Sequence, residues 1–79
     1  MGQDTRVMFA FDKSLRYLEK TRRYSIATTE TGWEVREERD SKVVRKVHYH
    51  DWHRVERALA LFQLEVGELT ERGWQETQA

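Results

Sequence analysis

The chain has 79 residues, which is the size of one small domain. It carries 14 basic and 14 acidic residues and contains no cysteine and no proline. The lack of cysteine excludes disulfide bonds, thiolate metal sites and a cysteine nucleophile. The balanced charge is unlike that of domains that bind nucleic-acid backbone, which are usually clearly basic. We therefore expect a single small α+β domain over residues 1–79.

The distribution of apolar residues bears on where the protein is located. The longest nearly apolar run, from Ala58 to Val66, is interrupted by Gln63 and Glu65. It is far shorter than the ~18–20 apolar residues that a bilayer-spanning helix needs. Residues 1–6 lack the basic and then apolar pattern of a signal peptide. We expect a cytoplasmic protein with no membrane partner.

The N-terminal segment carries two competing patterns. Helical spacing joins Met8, Phe11, Leu15 and Leu18, whereas strand-like alternation joins Val7, Phe9 and Phe11. Because the helical spacing continues through Leu18, we predict a helix over about residues 5–20.

Three segments that alternate between apolar and polar residues follow, at about 22–29, 33–39 and 42–50. Glu30-Thr31-Gly32 and Asp40-Ser41 separate them as short turns. This pattern predicts an antiparallel meander with one buried face. The residues expected on that face are Tyr24, Ile26, Trp33, Val35, Val43, Val47 and Tyr49. Arg45 interrupts the alternation, which we attribute to an edge position.

The last element is predicted as a long amphipathic helix. Its apolar residues recur at steps of three and four: Trp52, Val55, Leu59, Phe62, Val66 and Leu69. Asp51 is the expected N-cap, Gly73 suits the residue past the helix end, and Trp74 is expected to fold back on Leu69. The predicted fold is therefore α-β-β-β-α, a three-stranded meander covered on one face by both helices.

The last helix has more apolar surface than one core requires. Leu61 and Leu64 fall about 140–200° away from Leu59 on a helical wheel, and Ala58 adds to an apolar region that runs nearly all round. A helix of this kind is buried on more than one side. Either the N-terminal helix or another chain must therefore cover it. We predict self-association through Ala58, Leu61 and Leu64 as a homodimer, in a non-enzymatic protein-interaction module of the adaptor or inhibitor type. A larger protein partner is the alternative occupant.

A nucleic-acid-binding module is the second functional hypothesis. Its candidate residues, on the open sheet face and beside it, are Arg22, Arg23, Arg36, Lys46 and His48. Acidic residues such as Glu34 and Glu38 are interleaved with them. This interleaving favours a solvated surface of mixed charge, so nucleic acid is the less favoured partner.

A metal site is the third hypothesis, because His48, His50 and His53 lie close together in the sequence. Imidazole nitrogens are common zinc ligands. The polar faces of a strand and a helix are equally expected positions for solvated histidines. Nucleophile-elbow and glycine-rich phosphate motifs are absent from the sequence. The paired carboxylates Glu37 and Glu38 are expected on opposite strand faces. We predict neither an enzyme nor a bound cofactor.

Overall fold

A computed structural model describes residues 7–77 of the chain. It contains β1 (Phe9–Tyr17), β2 (Lys20–Thr28), β3 (Trp33–Arg39), β4 (Lys42–Tyr49), α1 (Trp52–Glu71) and β5 (Gln75–Thr77). The strands form one antiparallel sheet in the order β4-β3-β2-β1-β5. The helix packs on one face of this sheet. The α+β class is confirmed, but the predicted order α-β-β-β-α is wrong.

The N-terminal segment is a strand and not a helix. Most of the predicted helix over residues 5–20 is β1, which pairs along its whole length with β2 and near its end with β5; residues 5 and 6 lie outside the described part of the chain. A helix would have buried Met8 and Leu18 together, yet these side chains are 68% and 76% exposed. Leu15 is 1% exposed because it lies on the helix-facing side of the strand. Pairing with distant strands therefore overrides the local helical spacing.

The meander of β2, β3 and β4 confirms the predicted strands and their turns. Asp40 and Ser41 both have positive φ, 52° and 68°, as in the tight hairpin turns that match strand twist. The Asp40 carboxylate accepts a 3.0 Å hydrogen bond from the Thr21 amide. Gly32 lies in the turn between β2 and β3 and has a φ of 156°. Because it has no side chain, this turn can lie close to the end of β4, where a Cβ atom would clash with the Tyr49 carbonyl oxygen.

Both predicted ends of the helix are confirmed. Asp51 caps α1 by accepting a 3.1 Å hydrogen bond from the His53 amide. At the other end the Gly73 amide donates to the Thr70 carbonyl at 3.1 Å, and the Trp74 amide donates to the Leu69 carbonyl at 3.0 Å. This is the hydrogen-bond pattern of a glycine-terminated helix. It turns the chain back so that β5 can join the sheet beside β1.

The core lies between α1 and the sheet. Its buried apolar residues are Leu15, Tyr24, Ile26, Val35, Val55, Ala58, Phe62, Val66, Leu69 and Trp74. The Phe62 ring lies 4.9 Å from the Tyr24 ring and 6.2 Å from the Phe11 ring, measured between centroids. Burial raises the pKa of the Tyr24 hydroxyl, which accepts a 3.5 Å hydrogen bond from Arg22.

A β-bulge interrupts the alternation of β4 at Val44. Glu37 pairs with Arg45 and Glu38 pairs with Val43, so Val44 lacks a partner. Arg45 lies on the side of Val47 by the ordinary alternation of the strand, whereas the bulge moves Val43 to the opposite side, where it is 50% exposed. The prediction that Val43 is buried is therefore wrong. The edge position inferred for this strand is correct.

Only one sheet face is covered within residues 7–77, since the single helix lies on one side. The opposite face is named here the open face. Within residues 7–77, no helix has both the length and the apolar composition that crossing a bilayer requires.

Candidate interaction surface

The two sides of α1 differ sharply in burial. The inner side is formed by Val55, Ala58, Phe62, Val66 and Leu69, all buried. Ala58, one of the three residues predicted to mediate self-association, is 8% exposed and belongs to the core. It lies about 40° from Phe62 on the helical wheel, and this direction points it at the sheet.

Leu61 and Leu64 lie on the outer side of α1. Their exposed fractions are 41% and 60%. The segment that was predicted to cover them as an N-terminal helix is strand β1. It belongs to the sheet, which lies on the inner side of α1. The two leucines therefore form an apolar centre on the helix surface that the described chain leaves in water.

The two leucines belong to a longer stripe on the helix. The stripe continues in both directions at steps of three and four and comprises Arg54, Arg57, Leu61, Leu64, Glu68 and Glu71, all exposed. We call it the outer stripe. At 100° per residue its members fall within an arc of about 100°. Its first third is basic, its centre is apolar and its last third is acidic.

The basic end of the outer stripe borders a groove between α1 and β4. The groove has a volume of about 460 Å³ and is lined by Arg45, Tyr49, Arg54, Arg57, Ala58 and Leu61. Arg45 lies on this side of the sheet because it alternates regularly with Val47 and Tyr49 along β4. Among residues 7–77, none of the three lining arginines forms a salt bridge. The groove is therefore a positively charged recess beside an apolar centre.

The acidic end of the outer stripe likewise forms no ion pair within residues 7–77. Glu68 and Glu71 form no salt bridge with any other described residue. Opposite charges that would neutralise each other thus lie at the two ends of one helix face, too far apart to meet within the chain. At 1.5 Å per residue, Arg54 and Glu71 are about 25 Å apart along the helix axis.

The residues predicted for nucleic-acid binding are mostly occupied by acidic neighbours. Arg23 forms two hydrogen bonds with the Asp12 carboxylate, at 3.0 and 3.1 Å, and this contact raises the pKa of the Arg23 guanidinium. Arg36 lies between two carboxylates: 3.5 Å from an oxygen of Glu34 and 3.7 Å from one of Glu38.

The remaining candidates for that interface do not form one surface with them. Lys46 is 3.7 Å from Glu34 on the open face. Arg22 lies on the helix-facing side, with its guanidinium carbon 5.1 Å from the centre of the Trp74 ring. The open face is therefore a network of ion pairs and not a positively charged surface.

The three histidines do not converge on one point. His48 and His50 are neighbours, with ring centroids 4.9 Å apart, but His53 is 87% exposed and faces Glu56 at 3.7 Å. The Nε2 atom of His48 lies 3.0 Å and 3.1 Å from the hydroxyls of Thr29 and Thr31. In the part of the chain that the structure describes, no group of three or more His, Cys, Asp or Glu side chains is placed to hold a metal ion.

The β4 edge of the sheet is less suited to association than the helix. β4 is an edge strand, and its bulge at Val44 interrupts the row of backbone groups that a second strand would need. Lys42 and Lys46 add charge along it. Bulges and lysines are the features by which natural sheets prevent edge pairing.

Sequence reasoning found the apolar centre of the outer stripe but not its charged ends. The signal was present, because Arg54, Arg57, Glu68 and Glu71 continue the spacing of the two leucines. The face of Arg45 had a signal too, because it shares the alternation of Val47 and Tyr49. Its nearness to α1 had none, since that depends on how the helix packs beside β4.

Comparisons of the chain with protein-family models, with curated proteins and with solved structures found no match. The functional inference therefore depends on the arrangement of this chain's own residues.

Proposed function

We propose that this protein is a small, non-enzymatic protein-interaction module that self-associates through the outer side of α1. The observation that carries the proposal is the exposure of Leu61 and Leu64, side by side, on a helix whose inner side already completes the core. Removing apolar surface from water contributes about 25 cal/mol per Å². A second copy supplies the same pair of leucines, and two-fold dimers are the commonest oligomers.

Such a dimer would carry two open faces, one from each chain, both accessible to solvent. Each open face keeps its ion pairs, such as Arg23 with Asp12, because the helix lies on the opposite side of the sheet. The module would act as an adaptor or an inhibitor by presenting two copies of this surface. Two leucines per chain form a small apolar centre, so we expect a dimer whose population rises with concentration in the micromolar range.

A non-enzymatic role is supported by the surroundings of the titratable groups. Glu37 is buried and contacts Arg39 at 3.0 Å, whereas Glu38 contacts Arg36. The two carboxylates therefore do not act on one point. His48 meets threonine hydroxyls, but within residues 7–77 no carboxylate hydrogen-bonds to its ring. In a Ser-His-Asp arrangement such a carboxylate orients the acid–base histidine.

The nucleic-acid alternative has less support. Its open-face residues Arg23, Arg36 and Lys46 already contact carboxylates. Binding of phosphates would have to displace those contacts. An excess of absorbance at 260 nm in the purified protein, lost at high salt, would favour this alternative.

The test of self-association is the absolute mass in solution, measured by light scattering after size exclusion over a range of loading concentrations. Wild type is expected to rise from the 9.6 kDa of one chain toward twice that mass. Leu61→Glu combined with Leu64→Glu is expected to remain monomeric and folded. The matched control replaces Met8 and Leu18 with Glu, since these apolar residues are even more exposed but lie away from α1. A monomeric wild type at every concentration, or a dimer that survives the Leu61/Leu64 change, would overturn the proposal.

A further inference from the structure

The outer stripe also indicates how two copies would meet. We propose that two chains pair through antiparallel α1 helices in a single register, with Leu61 opposite the partner's Leu64, Arg57 opposite the partner's Glu68 and Arg54 opposite the partner's Glu71. This inference rests on the proposed self-association and specifies its geometry and its electrostatics.

The register follows from the symmetry of the stripe. In a two-fold antiparallel pair, residues at equal distances from the midpoint face each other. The point between Phe62 and Gln63 is such a midpoint for three pairs at once: Leu61 with Leu64, Arg57 with Glu68, and Arg54 with Glu71. A single register therefore joins leucine to leucine and every charge to its opposite.

The orientation follows from the charges. A parallel pair in the same register would place Arg54 against Arg54 and Glu71 against Glu71, and like charges at an interface select against that arrangement. The antiparallel pair brings the partner's acidic end to the basic end of the first chain. Within residues 7–77 none of these four side chains forms a salt bridge, so no ion pair among the described residues has to be broken.

The spacing suits direct packing of the two helices. Steps of three and four residues form the seam by which helices pack side by side at axial distances of about 8–10 Å. Ala60 and Gly67 flank Leu64 on the exposed helix surface, and nothing lies within 4 Å of the Cβ position at Gly67. Small flanking residues allow the partner helix to approach.

The groove beside β4 fits the same arrangement. It is lined by Arg45 together with Arg54, Arg57 and Leu61. In the antiparallel pair the partner's Glu68 and the partner's Glu71 come to this basic recess. Arg45 therefore adds a third positive charge at each end of the dimer, where the partner's acidic residues arrive.

The charges are tested by reversal and restoration. Arg54→Glu with Arg57→Glu makes the charged ends of the stripe wholly acidic and is expected to weaken the dimer at least about tenfold, because four cross-chain contacts become repulsive. Adding Glu68→Arg and Glu71→Arg exchanges the charges of the two ends and is expected to recover most of the lost affinity. The recovery stays short of wild type because Arg45 then lies beside the partner's introduced arginines. A quadruple variant that dimerises no more tightly than the double variant would overturn the charge register.

The register is tested by cross-linking, which the chain suits because it has no cysteine. Arg57→Cys and Glu68→Cys chains are oxidised mildly, separately and as an equimolar mixture. In the proposed register these two positions face each other, whereas two copies of the same position lie about 16 Å apart along the helix axes. We expect a disulfide-linked dimer to form in the mixture and much less in either chain alone. A mixture of Glu68→Cys with Met8→Cys is the matched control and is expected to remain unlinked.

The outcomes separate the register from the self-association itself. Cross-linking of each single variant with itself, or a wild-type dimer that yields no cross-link in the mixture, would overturn the antiparallel register while leaving the self-association intact. A monomeric wild type would overturn both. A monomer that binds heparin through Arg54 and Arg57 would likewise overturn both and assign the basic groove to a polyanion.

Discussion

The two sides of α1 follow the same spacing and have different consequences. The inner side, centred on Phe62, is buried against the sheet and determines whether the chain folds. The outer stripe, centred on Leu61 and Leu64, is exposed and contributes little to the packing of one chain. The same helical spacing therefore describes both sides, and only burial shows which of them packs against the sheet of the chain. We therefore expect substitutions on the inner side to change the free energy of unfolding and substitutions in the outer stripe to change the mass in solution.

The largest expected effect separates Phe62 from Leu64. Phe62 is 1% exposed and contacts the rings of Tyr24 and Phe11, so Phe62→Ala is expected to lower the free energy of unfolding by about 3–5 kcal/mol. Leu64→Ala on the same helix is the matched control and is expected to change it by less than about 0.5 kcal/mol. Urea unfolding at protein concentrations that keep the chain monomeric measures both. Similar losses for the two variants would remove the distinction between the sides.

A smaller effect is expected from a pair of glycines. Gly32→Ala is expected to destabilise the chain by about 1–3 kcal/mol, because its φ is 156° and a Cβ atom would clash with the Tyr49 carbonyl. Gly67→Ala on the outer side of α1 meets open space and is expected to stabilise the helix by up to about 1 kcal/mol. Thermal unfolding monitored by circular dichroism distinguishes the two. A stabilising Gly32→Ala would contradict the close approach of the β2–β3 turn to Tyr49.

Alkaline pH probes the inner side through Tyr24. Burial raises the pKa of its hydroxyl above the ordinary value of about 10, so the folded state holds this proton more tightly than the unfolded state does. The resulting contribution to stability is fully present below pH ~10 and is lost as pH rises through the folded pKa. Urea unfolding at pH 8, 10 and 11 is expected to show a steeper loss for wild type than for Tyr24→Phe. Identical slopes for the two proteins would show that Tyr24 is not responsible.

The smallest effect is expected on the open face. Asp12→Asn removes the charge that pairs with Arg23, and exposed pairs of this kind contribute about 0.2–1 kcal/mol. The difference from wild type is expected to shrink further in high salt, because exposed charges are screened. Urea unfolding at low and high ionic strength tests this. A loss above about 2 kcal/mol would mean that the open face contributes to stability as the inner side of α1 does.

Much of the fold could be predicted because its signals are local. The strands of the meander, the cap at Asp51 and the helix end at Gly73 each depend on residues within a few positions of one another. The N-terminal strand could not be predicted in this way. Its pairing partners lie in β2 and β5, and its turn uses Leu18 at φ 57°, a conformation that bulky residues rarely adopt.

The site was only partly predictable for a similar reason. Leu61 and Leu64 stood out because they are apolar on the wrong side of a helix that already has a core stripe. Ala58 was included with them because apolar character alone does not distinguish the two sides. The nearness of Arg45 to Arg54 and Arg57 depends on how α1 packs beside β4, which the spacing of residues along the chain does not reveal.

An amide chemical-shift dilution series on the wild-type chain tests most directly whether the outer stripe is where copies meet. We expect the concentration-dependent shifts to lie between Arg54 and Glu71, with the largest near Leu61 and Leu64, while the amides of Glu34 and Arg36 on the open face stay constant. Shifts centred on the open face or on the β4 edge, or none up to millimolar concentration, would contradict self-association through α1.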